Sequence, residues 1–239
     1  MSMTTLLALD TSTEACSVAL LHQGEKIAAD ELAQRSHTKR ILPMIDAILA
    51  QAGIGLSQVD ALVFGRGPGS FTGVRIGAGI AQGLALGADL PVIPISNLTA
   101  MAQQANEQYG ATQVLCAIDA RMNEVYFSYL AAAKVRSDCG EFIQWQPVIS
   151  EQVCRPQQVL ELTADFSGEQ ARVGTGWNAY PEFASAGLIR NTAIELPSAQ
   201  YMLSLALPLY HQRQWISAVE IEPVYLRNEV TWQKLPGRE

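Results

Sequence analysis

Two short apolar runs that each stop at an aspartate constrain this chain most. Leu6-Leu7-Ala8-Leu9 ends at Asp10, and Val114 to Ile118 ends at Asp119. Each run is followed by two more strand-like stretches. In the first half these are Ala15 to Leu21 and Lys26 to Leu32, joined through His22-Gln23-Gly24-Glu25; in the second they are Glu124 to Leu130 and Glu141 to Val148. Strands this close in sequence pair antiparallel, because a parallel crossover needs a dozen or more residues. The pattern predicts a two-lobed α/β chain in which each lobe opens with a three-strand antiparallel meander, and it points to an internal duplication.

Helices and further strands complete a mixed sheet flanked by helices in each lobe. A helix is expected from Ser36 to Ala52, with Ile41, Leu42, Ile45, Ile48 and Leu49 on one face. Pro43 inside it predicts a kink or a restart. Strands at Val59–Phe64 and Pro91–Ile95 alternate with helices near Thr72–Leu86 and Asn97–Gln108. The second lobe adds helices near Pro156–Thr163 and Ser198–Gln212 and a strand at Arg172–Gly174. This divides the chain into lobes at 1–110 and 111–239, with the tail after about residue 215 packing back on the first lobe.

Charge and composition exclude several classes of function. The net charge is −7, from 16 basic and 23 acidic residues. A chain that binds nucleic acid by itself normally carries a basic surplus or stripe, so any contact with RNA is expected through a partner. No apolar run approaches the roughly 18 residues of a membrane span. Met1 to Leu9 lacks the basic flank of a signal peptide. Cys16, Cys116, Cys139 and Cys154 show no metal or disulfide spacing and read as small core residues. A cytoplasmic protein fits these features.

The stretch from Gly65 to Gly73, Gly-Arg-Gly-Pro-Gly-Ser-Phe-Thr-Gly, lies between a strand and a helix. Glycines there permit close backbone approach, and a helix N-terminus offers N–H groups to an anion. Both familiar phosphate patterns fail, however. A P-loop ends in Gly-Lys-Ser/Thr where this chain has Thr72-Gly73-Val74, and a dinucleotide fingerprint needs a third glycine where Ser70 stands. The loop therefore reads as a turn of backbone, with Ser70 or Thr72 capping the helix. Gly73, Gly77, Gly79, Gly83 and Gly87 then stripe that helix. Interior glycine costs up to about 1 kcal/mol relative to alanine, which close packing on the chain's own sheet or on a second chain would offset.

Other polar groups are weaker signals. Arg35, His37, Lys39 and Arg40 gather at the first helix's N-terminus, where the helix dipole disfavours cations. They make either a solvated turn or a surface for an acidic partner or RNA backbone. Asp10 and Asp119 end equivalent strands, a placement that in other folds holds hydrated magnesium in a cleft. The residues after Asp119, Ala-Arg-Met-Asn-Glu, lack the glycine that lets phosphate approach. Asp10, Ser12, Gly67, Gly69 and Asp119 thus outline at most a vestigial nucleotide site. His22, His37 and His211 have no metal-ligand spacing, and no nucleophilic triad can be assembled from them. The residues alone leave open a small-molecule kinase or ATPase that holds Mg-ATP between Asp10 and Asp119.

Four stretches carry a family resemblance: Asp10-Thr-Ser-Thr-Glu-Ala-Cys-Ser-Val-Ala, Ser36-His-Thr-Lys-Arg-Ile-Leu-Pro, Gly65-Arg-Gly-Pro-Gly-Ser-Phe-Thr-Gly-Val-Arg-Ile-Gly and Glu222-Pro-Val-Tyr-Leu-Arg. Together they resemble the TsaB (YeaZ) family over nearly the whole chain. The resemblance implies an actin-like, sugar-kinase-like fold and a non-catalytic subunit that supports its paralogue TsaD, with the ATPase TsaE. Those proteins install threonylcarbamoyl on the adenosine beside the anticodon of tRNAs that read A-starting codons. TsaD has a metal-binding His-x-x-x-His where this chain has Asn97-Leu98-Thr99-Ala100-Met101. Its Ser-Gly-Gly-His-Thr loop corresponds to Ile118-Asp119-Ala120-Arg121-Met122. The likeness therefore implies no catalytic residue, no metal and no cofactor of the chain's own, with ATP and magnesium entering only in a complex. Gly174-Thr175-Gly176-Trp177-Asn178 reads as a remnant of the family's adenosine-side loop. The implied interface with TsaD, or with a second copy in a homodimer, comprises Ser36, His37, Lys39, Arg40, Ile41, Ile45, Ile48, Thr72, Arg75, Ile76, Gly79 and Gly83.

Overall fold

The Leu6–Asp10 strand (β1) is buried at every residue, the pattern of a strand covered on both faces. It lies at the centre of the first sheet. Ala15–His22 (β2) pairs antiparallel with it, and Glu25–Leu32 (β3) pairs antiparallel with β2. On its other side Ala61–Gly67 (β4) runs parallel to β1, and Val92–Ser96 (β5) runs parallel to β4. The order is β3-β2-β1-β4-β5. We describe a computed structural model, which covers residues 3–33, 35–137, 140–189 and 191–227. Cys139 and the end of the tail, residues 228–239, lie outside the described residues.

The second sheet repeats this plan. Gln113–Arg121 (β6), Glu124–Ser137 (β7) and Gly140–Cys154 (β8) form the meander, and Ala171–Val173 (β9) runs parallel to β6. The order β8-β7-β6-β9 matches β3-β2-β1-β4 of the first sheet. The β7–β8 hairpin is longer than the sequence suggests. Ala131, Ala132 and Ala133 have weak strand preference, yet cross-strand pairing with Gln146, Trp145 and Gln144 carries the ladder through them.

Helix His37–Ala52 (α1) runs unbroken through Pro43, contrary to the expected kink or restart. Pro43 sits on the solvent face, while Ile41, Met44, Ile45, Ile48 and Leu49 anchor the other face in the core. Helix Phe71–Ala88 (α2) packs beside α1 on the same side of the first sheet. Helix Asn97–Tyr109 (α3) lies against the second sheet through Leu98, Met101, Ala102 and Ala105. Pro156–Thr163 (α4), Gly176–Ala179 (α5) and Pro181–Ser185 (α6) cover that sheet's far face.

Helix Ala199–His211 (α7) departs from the sequence division. It packs on the first sheet, where Ala199, Met202, Leu203 and Ala206 meet Leu6, Ala8 and Val63. The face of β1 opposite α1 is apolar and must be covered, and α7 supplies that cover. The chain thus returns to the first lobe before residue 215. Ile216 then bridges Val92, and Gln82 Nε2 donates to Ala218 O at 3.0 Å. Among the described residues, no helix is long and apolar enough to cross a membrane.

Candidate functional site

The glycine-rich loop folds against its own chain. Ser70 Oγ accepts from Gly73 N at 3.0 Å and caps α2, so Thr72 is not the cap. Ser70 N donates to Ser12 O at 2.7 Å, and Thr11 Oγ1 donates to Gly73 O at 2.8 Å. Ser70 N and Gly73 N, two of the backbone donors that could hold a phosphate, are thus engaged within the protein. A Cβ at Gly69 would collide with Ser12 O, and one at Gly73 with Thr11 O. These glycines let the loop lie directly on the Thr11–Ser12 backbone.

Asp10 lies beneath this contact and is fully buried. Its carboxylate accepts from Asn97 Nδ2 at 2.8 Å and from Ser12 Oγ at 3.0 Å. Burial pushes its pKa up to about 6, and the hydrogen bonds from Asn97 and Ser12 oppose that rise. Asn97 Oδ1 also accepts from Gly67 N at 2.9 Å. One amide therefore joins the end of β1, the glycine loop and the start of α3. Met101, one turn along, is buried in the second lobe's core. Asn97 is thus a structural bridge and Met101 a core side chain.

Between the lobes lies a cleft of about 890 Å³ whose lining includes Ser12, Gly69, Asp119, Arg121, Thr175 and Arg227. Asp119 is already partnered: Arg121 Nη1 stands 2.9 Å from Oδ2, and the Tyr180 hydroxyl donates to Oδ1 at 2.6 Å. Burial, with this bond to Asp119, pushes the Tyr180 phenol up to about 12. The Gly174–Asn178 stretch follows β9 as the Gly65 loop follows β4, and Gly174 (φ +103°) presses on Ala117 O. Thr175 and Ala179 reach the cleft. Of the expected nucleotide site, Ser12, Gly69 and Asp119 thus line one cleft, whereas Gly67 does not and Asp10 is fully buried. Among the described residues, no cluster of three His, Cys, Asp or Glu could hold a metal ion.

The outer face of α1 and α2 is different in kind. Thr72, Arg75, Gly79 and Gly83 are exposed and Ile76 is partly so, and a Cβ at Gly79 or Gly83 would meet nothing within 4 Å. The glycine stripe therefore has two parts: Gly73 and Gly77 face Thr11, while Gly79, Gly83 and Gly87 face open space. Ile41, Ile45 and Ile48 do not line this face. They are at most 3% exposed and pack in the first lobe's core, because the apolar face of an amphipathic helix turns to its own sheet. The basic group separates as well. Arg40 forms a bidentate pair with Glu31 (2.8 and 2.7 Å), and His37 Nε2 lies 2.8 Å from Thr13 O. Lys39 is exposed, and Ser36 Oγ donates to Ala33 O instead of capping α1.

Sequence reasoning passed over Asn97, Tyr180 and Arg227 as site residues. Only Asn97 and Arg227 carried a signal, one as the residue in place of a histidine and the other as the end of the Glu222–Arg227 motif.

Across 98% of its length and 98% of the relative's, the chain is 68% identical to the tRNA threonylcarbamoyladenosine biosynthesis protein TsaB of Haemophilus influenzae. The chain belongs to the TsaB family. It is 50% identical to Escherichia coli TsaB over 98% of this chain and 99% of that one. The solved structure of YeaZ from Pseudomonas aeruginosa superposes with a TM-score of 0.78 at 40% identity, over 94% of this chain and all of the other. Residues 27–205 also match the TsaD family, tRNA N6-adenosine threonylcarbamoyltransferase. That match reaches from β3 to α7, so likeness to the paralogue extends over both lobes and confirms the actin-like, sugar-kinase-like architecture of this TsaB-family chain.

Proposed function

We propose that this chain is a non-catalytic scaffold in tRNA threonylcarbamoyladenosine biosynthesis, which binds a TsaD homologue through the outer face of α1 and α2. TsaE joins the same assembly, and tRNA reaches it through those partners. One observation carries the reading: the glycine loop is bound to its own chain, with Ser70 N donating to Ser12 O and Gly73 O accepting from Thr11 Oγ1, while Gly79 and Gly83 leave a bare helix surface open. A bare backbone surface admits a second helix at close range. Thr72, Arg75 and Ile76 border it, with Lys39 beside the α1 N-terminus. In isolation the same face pairs two copies of this chain, and a TsaD homologue displaces that homodimer.

This reading assigns the chain no nucleotide or metal of its own, and ATP with magnesium acts in the assembled complex. Depletion of the protein tests it. The adenosine beside the anticodon should then lack its threonylcarbamoyl group, and normal modification would overturn the proposal. Calorimetric titration of the isolated protein with Mg-ATP separates the kinase alternative, which requires tight binding with steady turnover.

A further inference from the structure

The segment from Glu222 to Arg227 meets the proposed interface only where Tyr225 packs under Arg75, and it touches both lobes. Ile221 is anchored in the first lobe's core. The chain then runs back along α2, where Val224 N donates to Arg66 O at 2.8 Å and Val224 O lies over Gly67. Tyr225 stands 6.1 Å from Phe71, and the Arg75 guanidinium stacks on both rings. Arg227 reaches across to the second lobe. Its guanidinium forms a charged pair with Glu124 (Nε to Oε2, 3.1 Å) and donates to Ala120 O at 3.1 Å.

The turn that receives Arg227 is unusual. Arg121, Met122 and Asn123 have φ of +61°, +56° and +59°, a left-handed run without a glycine. Side chains disfavour that region, so contacts around the turn must hold it in place. Arg227 clasps the carbonyl on one side of the run and the Glu124 carboxylate on the other. At a second point Glu151 of β8 accepts from Arg66 Nη2 at 3.0 Å and from Ser96 Oγ. Arg66 is common to both attachments, its side chain reaching the second lobe and its carbonyl holding the returning segment.

We propose that residues 222–227 form a strap that closes one end of the interlobe cleft and fixes its width. The strap shields the Arg227–Glu124 pair, leaving the two side chains 20% and 29% exposed, so the pair is stronger than a fully solvated one. The inference stands apart from the proposed partner. It is tested by hydrogen exchange on the full chain carrying Arg227→Ala or Tyr225→Ala. The second variant loosens the strap without touching the ion pair. Each should speed exchange of the amides in 119–126 at least about tenfold while leaving those of β1 and β4 unchanged. Unchanged exchange in 119–126 in both variants would overturn the proposal. So would an equal rise in β1 and β4, which marks general destabilisation.

Discussion

The carboxamide nitrogen of Asn97 stands 2.8 Å from Asp10 Oδ1, and both residues are fully buried. This pair sits at the end of β1 and just after β5, where they meet the glycine loop. Here the amide satisfies the acid and turns its own oxygen to Gly67 N. The pair is a structural joint between β1, the glycine loop and α3.

Asn97→Ala should be costly for that reason. It leaves a buried carboxylate short of a donor and a buried N–H without an acceptor, at about 1–3 kcal/mol for each unmet group. Denaturant unfolding should show a total loss of roughly 2–6 kcal/mol. A loss under about 0.5 kcal/mol, the range of an ordinary surface substitution, would contradict the joint.

Asp10 predicts an unusual pH dependence. Its folded pKa is about 6, whereas an unfolded aspartate titrates near 4. The folded state therefore holds the proton more tightly, and stability falls as pH rises from about 4 through about 6. The loss, roughly 3 kcal/mol when complete, persists above that window. Asp10→Asn keeps an oxygen for Asn97 and removes the titration. Unfolding free energies at pH 4 and pH 7.5 should show the native protein losing stability relative to the variant; parallel profiles would refute the assignment.

The two halves of the glycine stripe should respond oppositely to alanine. Gly73→Ala and Gly77→Ala drive a methyl into Thr11 O or Thr11 Oγ1, and overpacking of this kind costs about 1–3 kcal/mol. Gly79→Ala and Gly83→Ala meet open space and should stabilise the isolated chain by up to about 1 kcal/mol. Thermal melts of the four variants check the division. Destabilisation at Gly79 or Gly83 would show that their face is not free.

The duplicated meander was legible because antiparallel strands lie close in sequence and end in recognisable turns. Their shared order around β1 and β6 follows from that pattern. Less legible was which way each helix turns. Ile41, Ile45 and Ile48 have the spacing of an apolar face, but spacing alone does not tell a core from a partner. The same limit applied to the glycine stripe, whose inner and outer members differ only by rotation about the α2 axis. Contacts of long sequence separation, such as Asn97 with Asp10 and Arg227 with Glu124, are set by tertiary packing and leave little local trace.

The most direct test of the scaffold account is the affinity of Gly79→Leu and Gly83→Leu for a TsaD homologue, measured by calorimetry with the unfolding midpoint of each variant as control. Leucine at either position fills the gap through which two backbones approach, and its Cβ meets nothing inside the chain within 4 Å. The account predicts binding weakened at least about tenfold, equivalent to 1.4 kcal/mol, with the midpoint unchanged or raised. Native affinity in both variants would contradict it.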